Sequence, residues 1–308
     1  MIASAAFVHF LSTNTGSILA AFLITSVPIG ILSEPMTAFR DKFNLAGKVA
    51  IVTGGAGILG QKFCAGLAEF GAKVAVIDVD EASAGALAAR LSADYGAGAI
   101  GVGCNIAERD SVIEMSKKVI GTFGGVDILH NNAATKSSDL AGFFAPFEDV
   151  SLDTWREVMS VNLDGAFLVS QAIGRQMISQ GRGGSIINTS SIYGILGADK
   201  RIYEGSHYLG REINTPAVYA ASKAGLLGLT RYLSTHWAAH NIRVNAITPG
   251  GVSSGQNDEF RNKYSARVPM GRMADSDEMV SALLFLASDA SSYITGQNIV
   301  VDGGLSAW

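Results

Sequence analysis

The sequence predicts an α/β fold: a single domain built on a parallel, doubly wound sheet of seven strands with helices on both faces. Three observations predict it. Short apolar runs of β type recur along the chain, each followed by a longer stretch with the Ala/Leu-rich pattern of a helix. The first run stops at a glycine-rich turn, residues 54–60, that opens directly into a helical pattern. The second run ends on an acid, Asp78. Alternation of strand and helix implies crossover connections, which make the sheet parallel and place helices on both of its faces.

The elements follow in order. Strands are expected at residues 48–53, 73–77, 99–104, 126–131, 185–190, 242–248 and 298–301, and helices at 61–70, 81–93, 110–120, 154–179, 217–239 and 275–287. Strand, glycine turn and helix together make a phosphate cradle, because free backbone N–H groups and a helix N-terminus converge on an anion. Asp78 lies at the offset where a Rossmann-type dinucleotide fold places its ribose-binding acid. Ligands of such sheets bind beyond the carboxyl ends of the strands. Asp78, Asn132, Ser191 and Pro249 all fall at those ends, so one cleft is expected to collect them.

Tyr219 and Lys223 stand four residues apart on the helical stretch 217–239, which puts a phenol and an ammonium on one face. A phenol titrates near 10 in water and is a poor proton shuttle at neutral pH. A neighbouring fixed cation favours the phenolate, so Lys223 is expected to draw Tyr219 downward.

These residues and their order resemble the short-chain dehydrogenase/reductase family, from about Leu45 to the C-terminus. The family's Thr-Gly-x-x-x-Gly-x-Gly turn corresponds to Thr53 through Gly60, and its Asn-Asn-Ala-Gly motif to Asn131, Asn132, Ala133 and Ala134. The resemblance implies a catalytic set of Asn162, Ser191, Tyr219 and Lys223: Tyr219 as general acid/base, Lys223 holding the nicotinamide ribose, Ser191 polarising the substrate oxygen and Asn162 positioning a water. It further implies a cofactor site of Gly54, Gly57, Ile58, Leu59, Gly60, Asp78, Asn105, Ile106, Asn132, Ala133, Ala134, Tyr219, Lys223, Pro249, Gly250, Val252 and Ser254. Three positions depart from the family pattern. Ile58 replaces the middle glycine of the turn, so either its side chain points away or Gly57 makes the close approach. Ala134 replaces the last glycine of its motif, and Asn105 replaces an Asp that touches adenine in relatives.

A second feature is an excess of residues between Ser191 and Tyr219, segment 197–214. Lys200, Arg201, His207, Tyr208 and Arg211 give it cationic and hydrogen-bonding capacity, so it reads either as a solvated excursion or as a lid over a polar or anionic substrate. Segment 136–147 is also long and is expected to form the opposite wall.

With 308 residues, 48% of them hydrophobic, the chain can bury a large core. A net charge of −4 with scattered basic residues gives no footprint for nucleic acid. Cys64 and Cys104 read as buried reduced thiols. His236 and His240 are four apart but lack an acidic third ligand, so they are expected to cap their helix and no metal site is expected. Residues 1–35 contain no Asp, Glu, Lys or Arg before Glu34. Translation is expected to begin at Met36; a membrane anchor is the competing reading, weakened by Thr25, Ser26, Pro28 and Gly30.

The expectation is therefore a cytoplasmic NAD(H)-dependent oxidoreductase that interconverts a secondary alcohol and a ketone. The resemblance implies a homotetramer assembled through helices 154–179 and 217–239. The ending from Val301 to Gly304 and the loop composition resemble sugar, sugar-acid and nucleotide-sugar dehydrogenases of the gluconate 5-dehydrogenase kind. An NADPH-dependent 3-oxoacyl-thioester ketoreductase is the rival enzyme, opposed by Asp78 and the polar insertion. A non-catalytic dinucleotide-sensing protein is the rival of another class, opposed by the filled catalytic positions.

Overall fold

The computed structural model describes residues 38–208 and 211–308, without the side chains of residues 208 and 211. Residues 1–35, with the question of start or anchor, lie outside the described residues.

Among the described residues, seven parallel strands form one sheet in the order β3-β2-β1-β4-β5-β8-β9. They are β1 (Val49–Thr53), β2 (Lys73–Asp78), β3 (Ala99–Gly103), β4 (Ile128–Asn131), β5 (Gly184–Thr189), β8 (Ile242–Pro249) and β9 (Asn298–Val301). A separate two-residue hairpin, β6 (His207–Tyr208) with β7 (Arg211–Glu212), lies within the 197–214 segment. The direction of winding reverses between β1 and β4, which pair side by side. A crevice opens at such a reversal.

Side chains alternate across the sheet. Ala50 and Val52 of β1 enter one core, with Phe63 and Leu67 of α1 (Ile58–Glu69), Ala84 and Leu91 of α2 (Glu81–Tyr95), and Leu283 of α9 (Val280–Ala287). Val49 and Ile51 enter the other, with Met115 of α3 (Arg109–Phe123), Ile173 of α6 (Ala166–Gln180) and Leu233 of α7 (Ala217–His236). That period-2 division fixes the register, because a slip of one residue would exchange the two cores.

Four helical features differ from the sequence expectation. The single helix expected at 154–179 is two, α5 (Leu152–Met159) and α6, joined by a π turn at Ser160–Gly165 that contains Asn162. The helix expected at 275–287 opens as a 3₁₀ turn, Ser276–Met279, held by a capping box from Asp275 and Glu278. Two short helices were not expected: α4 (Leu140–Phe143), capped by Asp139, and α8 (Asp258–Ser265), capped by Asn257.

Candidate active site

The glycine turn sits between β1 and α1 at the carboxyl edge of the sheet. Gly54 has φ +61°, and a side chain there would meet the Ala133 backbone at 2.8 Å; a Cβ on Gly60 would lie 2.1 Å from the Gly54 carbonyl. Glycine is required at both positions. Asn132 clamps the turn from β4, its amide donating to the carbonyls of Thr53 at 3.1 Å and Gly54 at 3.2 Å. The Thr53 hydroxyl accepts from the N–H groups of Asn132 and Ala133. Ile58 is the first residue of α1 and 63% exposed. The N–H groups of Ile58, Leu59 and Gly60 occupy a helix first turn, where no intrahelical acceptor exists.

Asp78, at the end of β2, accepts from Ala56 N–H at 3.0 Å and from Asp80 N–H at 3.2 Å. Its carboxylate is thereby fixed at the mouth of the turn with lone pairs to spare. Asn105 donates to Glu108 at 2.8 Å and accepts from Ala107 N–H at 3.2 Å, beside buried Ile106. Pro249 ends β8, and Gly250 donates to Val301 across the sheet edge. Val252 bridges to Ala274, and Ser254 N–H donates to Gln256.

Asn162, Ser191, Tyr219 and Lys223 come together beside this turn. The Asn162 side chain accepts from Thr135 N–H at 2.8 Å and donates to Ser222 Oγ at 3.2 Å, and Ser222 donates to the Tyr219 carbonyl at 2.9 Å. The Ser191 hydroxyl is near enough to the Tyr219 phenol to favour its ionised form. Lys223 lies 5.9 Å from the centre of the Tyr219 ring and donates to the Thr189 carbonyl at 2.8 Å. The Tyr219 ring packs on Phe143, Val158 and Val218, so the 136–147 segment supports it through α4.

The Tyr219 phenol is shifted upward, against the direction expected from the sequence. Burial holds it above its ordinary value; the Ser191 hydroxyl opposes that rise and Tyr193 adds to it. The expected downward pull from Lys223 does not set the direction here. Burial brings Lys223 itself down to about 8. A desolvated amine and a desolvated phenol both resist charge, so burial favours the neutral form of each.

The 197–214 segment is not held by its cations. Asp199 takes a bidentate bond from Arg201, at 2.9 and 2.8 Å, and a further ion pair from Arg267 at 3.5 Å. Arg201 is thus exposed and spent locally. What anchors the segment is Ile202, buried with Ile192, Phe260, Tyr264 and Val268, helped by Lys263 donating to the Glu204 carbonyl at 2.7 Å. At its far end Asn214 donates to the Phe144 carbonyl at 2.9 Å, so the two long segments meet. The Arg211 side chain lies outside the described residues. Ile202→Ala is expected to cost about 2 kcal/mol, the low end for a buried Ile, whereas Arg201→Ala should leave the urea midpoint within error of wild type. Equal losses in the two denaturation curves would contradict the apolar anchor.

Tyr193, Tyr203, Thr215 and Tyr264 were not singled out in the sequence, yet they line this side of the site. Ile202 and Tyr203 are apolar and aromatic residues inside a charged insertion, and that contrast was the available signal. Among the described residues, no group of His, Cys, Asp and Glu is placed to hold a metal, and no helix is long and apolar enough to cross a membrane. Cys64 and Cys104 are buried and free. His236 stacks on Tyr232 with ring centres 5.5 Å apart, and His240 ends a 3₁₀ turn.

A Rossmann sheet with this turn and this Tyr–Lys pair defines a dinucleotide-dependent oxidoreductase, and the comparisons with known proteins agree. Residues 55–306 match the family model described as Enoyl-(Acyl carrier protein) reductase. The D-threitol dehydrogenase of Mycolicibacterium smegmatis is 35% identical over 85% of this chain and 94% of its own. The 3-oxoacyl-[acyl-carrier-protein] reductase FabG of Aquifex aeolicus is 34% identical over 86% and 99%. Among solved structures, a gluconate 5-dehydrogenase from Burkholderia cenocepacia, in complex with NADP and tartrate, superposes with a TM-score of 0.76 at 34% identity over 87% of this chain and 98% of that one. An NAD+-bound xylitol dehydrogenase gives 0.74 at 31% over 84% and 99%. The chain belongs to the short-chain dehydrogenase/reductase family and is an oxidoreductase acting on alcohol and ketone groups.

Proposed function

We propose that the protein is an NAD(H)-dependent dehydrogenase that interconverts a secondary alcohol and a ketone on a small polyhydroxylated substrate, a polyol, sugar or sugar acid. The observation that carries this reading is the meeting of Tyr219, Lys223, Ser191 and Asn162 beside the glycine turn, with Asp78 fixed at its mouth. The residues present fit the cofactor. The first turn of α1, at Ile58, Leu59 and Gly60, with Gly54 and Gly57 before it, offers N–H groups to a pyrophosphate. Asp78 suits the adenine ribose. Asn105 and Ile106 would hold the adenine, and Asn132, Ala133, Ala134, Pro249, Gly250, Val252 and Ser254 the nicotinamide half.

A bound nicotinamide would supply the hydride acceptor or donor. The chain's own groups handle the proton and the alignment. Tyr219 takes the alcohol proton in oxidation and returns it in reduction. Ser191, beside that phenol, orients the same substrate oxygen. Lys223 supplies positive charge beside the ring and favours the phenolate. Asn162 fixes Thr135 and, through Ser222, the Tyr219 backbone, so the π turn sets the distance between the two helices at the reacting centre.

NAD is preferred over NADP in this reading. A 2′-phosphate would face Asp78, with Asp80 and Glu81 nearby, and Gly55, Ala56 and Gly57 offer no cation to neutralise it. A ratio of catalytic efficiencies above ~10 in favour of NAD is expected, a discrimination of roughly 1.4 kcal/mol. Equal efficiency with NADP would defeat this choice, and the NADP-bound gluconate 5-dehydrogenase makes the measurement a necessary one. The substrate is tested by following NAD reduction across polyols, sugar acids and a 3-hydroxyacyl thioester; turnover of the thioester alone would favour the ketoreductase reading. Exposed Phe167 on α6 and Tyr232 on α7 support assembly into a homotetramer, which light scattering checks. Two free thiols suit the reducing cytoplasm.

A further inference from the structure

We propose that Tyr193 is a specificity-determining residue that donates a hydrogen bond to a hydroxyl on the carbon next to the reacting one, and that Tyr203, supplied by the 197–214 insertion, braces it. The inference rests on the polyol reading above and names the group of the substrate that the site selects.

Tyr193 lies two residues after Ser191, in the 3₁₀ turn Ile192–Gly194. Its own N–H donates to Ser191 Oγ at 3.3 Å, so its backbone is tied to the hydroxyl that orients the reacting oxygen. The neighbouring Ser190 hydroxyl donates to the Lys223 carbonyl at 2.8 Å, which holds this turn against α7 at the Tyr–Lys pair. The Tyr193 phenol is also near enough to Tyr219 to influence its ionisation. One wall therefore presents two phenols and a serine hydroxyl within the reach of a small substrate.

The insertion gives that wall its direction. Tyr203 donates to the Tyr193 hydroxyl at 2.9 Å and lies 2.5 Å from Thr215 Oγ1. A phenol has one proton. With the Tyr203 proton committed to Tyr193, Thr215 must be the donor to Tyr203, and the chain runs Thr215 to Tyr203 to Tyr193. Tyr193 accepts through a lone pair and keeps its own proton to give. Burial holds Tyr203 far above the ordinary phenol value, so it stays a neutral donor across the working pH range. Ile202, its buried neighbour, fixes the base of this brace in the cluster around Phe260 and Tyr264. A neutral donor of fixed direction suits a hydroxyl oxygen. It gives no equivalent bond to a substrate that carries hydrogen at that carbon, and the lost bond is what discriminates.

The test compares butane-2,3-diol with butan-2-ol as substrates of the full-length enzyme, using NAD. The wild type is expected to favour the diol. In Tyr193→Phe the diol-to-mono-ol ratio of kcat/KM should fall by about 3- to 10-fold, the range for one neutral hydrogen bond. Tyr203→Phe should lower the ratio by less, because Tyr193 keeps its hydroxyl and loses only its brace. A ratio unchanged in Tyr193→Phe overturns the inference while leaving the polyol reading intact. Equal losses on both substrates overturn it too, since they would mean a structural role. A wild-type enzyme without preference for the diol, or inactive on both alcohols, overturns the polyol reading and this inference with it.

Discussion

Tyr219→Phe is expected to lower kcat by at least ~10²-fold, the low end for a general acid/base, with NAD affinity nearly intact. The phenyl ring can remain packed on Phe143, Val158 and Val218, so the substitution removes a transferable proton but leaves the wall in place. The pH profile gives a second readout. Oxidation needs the phenolate, and burial holds the phenol above its ordinary value, so the wild-type oxidation rate should climb as pH rises into the alkaline range. Reduction needs the phenol and should decline over the same range. The variant should lack both limbs. Steady-state rates in the two directions, with an NAD titration, decide the matter; a variant that keeps more than half of its activity is incompatible with Tyr219 as the proton donor.

The parts of this site that were legible in the sequence are those in which a residue type has one chemical use. Glycines at 54 and 60 are demanded by backbone contact, and Asp78 by the end of a strand, so the motifs locate them without a structure. Strand positions were also legible, to within a residue or two at most ends, because runs of Val and Ile have few alternatives. The π turn at Ser160–Gly165 was not. It changes the phase of a helix without changing its composition, and the apolar pattern on either side reads as continuous. Helix α8 was missed for a different reason: it is polar throughout except for Phe260 and Tyr264, four residues apart, and two residues make a weak stripe.

The insertion shows the limit more sharply. Its charges suggested a substrate-binding lid, but Arg201 and Asp199 satisfy one another and the segment is seated by Ile202. Charges on a loop advertise themselves in sequence, while the partner that neutralises them does not. The same blindness applies to hydroxyls. Thr215, Tyr203 and Tyr193 span 23 positions of sequence and carry no motif, yet they form one hydrogen-bonded chain beside the catalytic phenol.

Acid should destabilise this protein through His130, whose position no motif marked. The side chain is fully buried in β4, edge-on to Phe63 with ring centres 4.5 Å apart, and its Nε2 lies 2.7 Å from Thr189 Oγ1 while Nδ1 has no partner. Burial, reinforced by the charge of Lys223, pushes its pKa down to about 3 from an ordinary 6.5. The sign follows from proton counting. Between these values the unfolded chain binds a proton that the folded protein refuses, so stability is fully present above pH 6.5 and is lost as pH falls toward 3. Over three pH units that linkage amounts to about 4 kcal/mol, a large share of the net stability of a domain. His130→Phe removes the titration while keeping an aromatic ring against Phe63. The variant is expected to be less stable than wild type at pH 7, because Thr189 Oγ1 loses its partner, but its stability should fall less steeply in acid. Urea midpoints at pH 7 and 4 give the comparison. The wild-type advantage should shrink by about 3 kcal/mol between them, and parallel loss in both proteins would place the acid sensitivity on other groups.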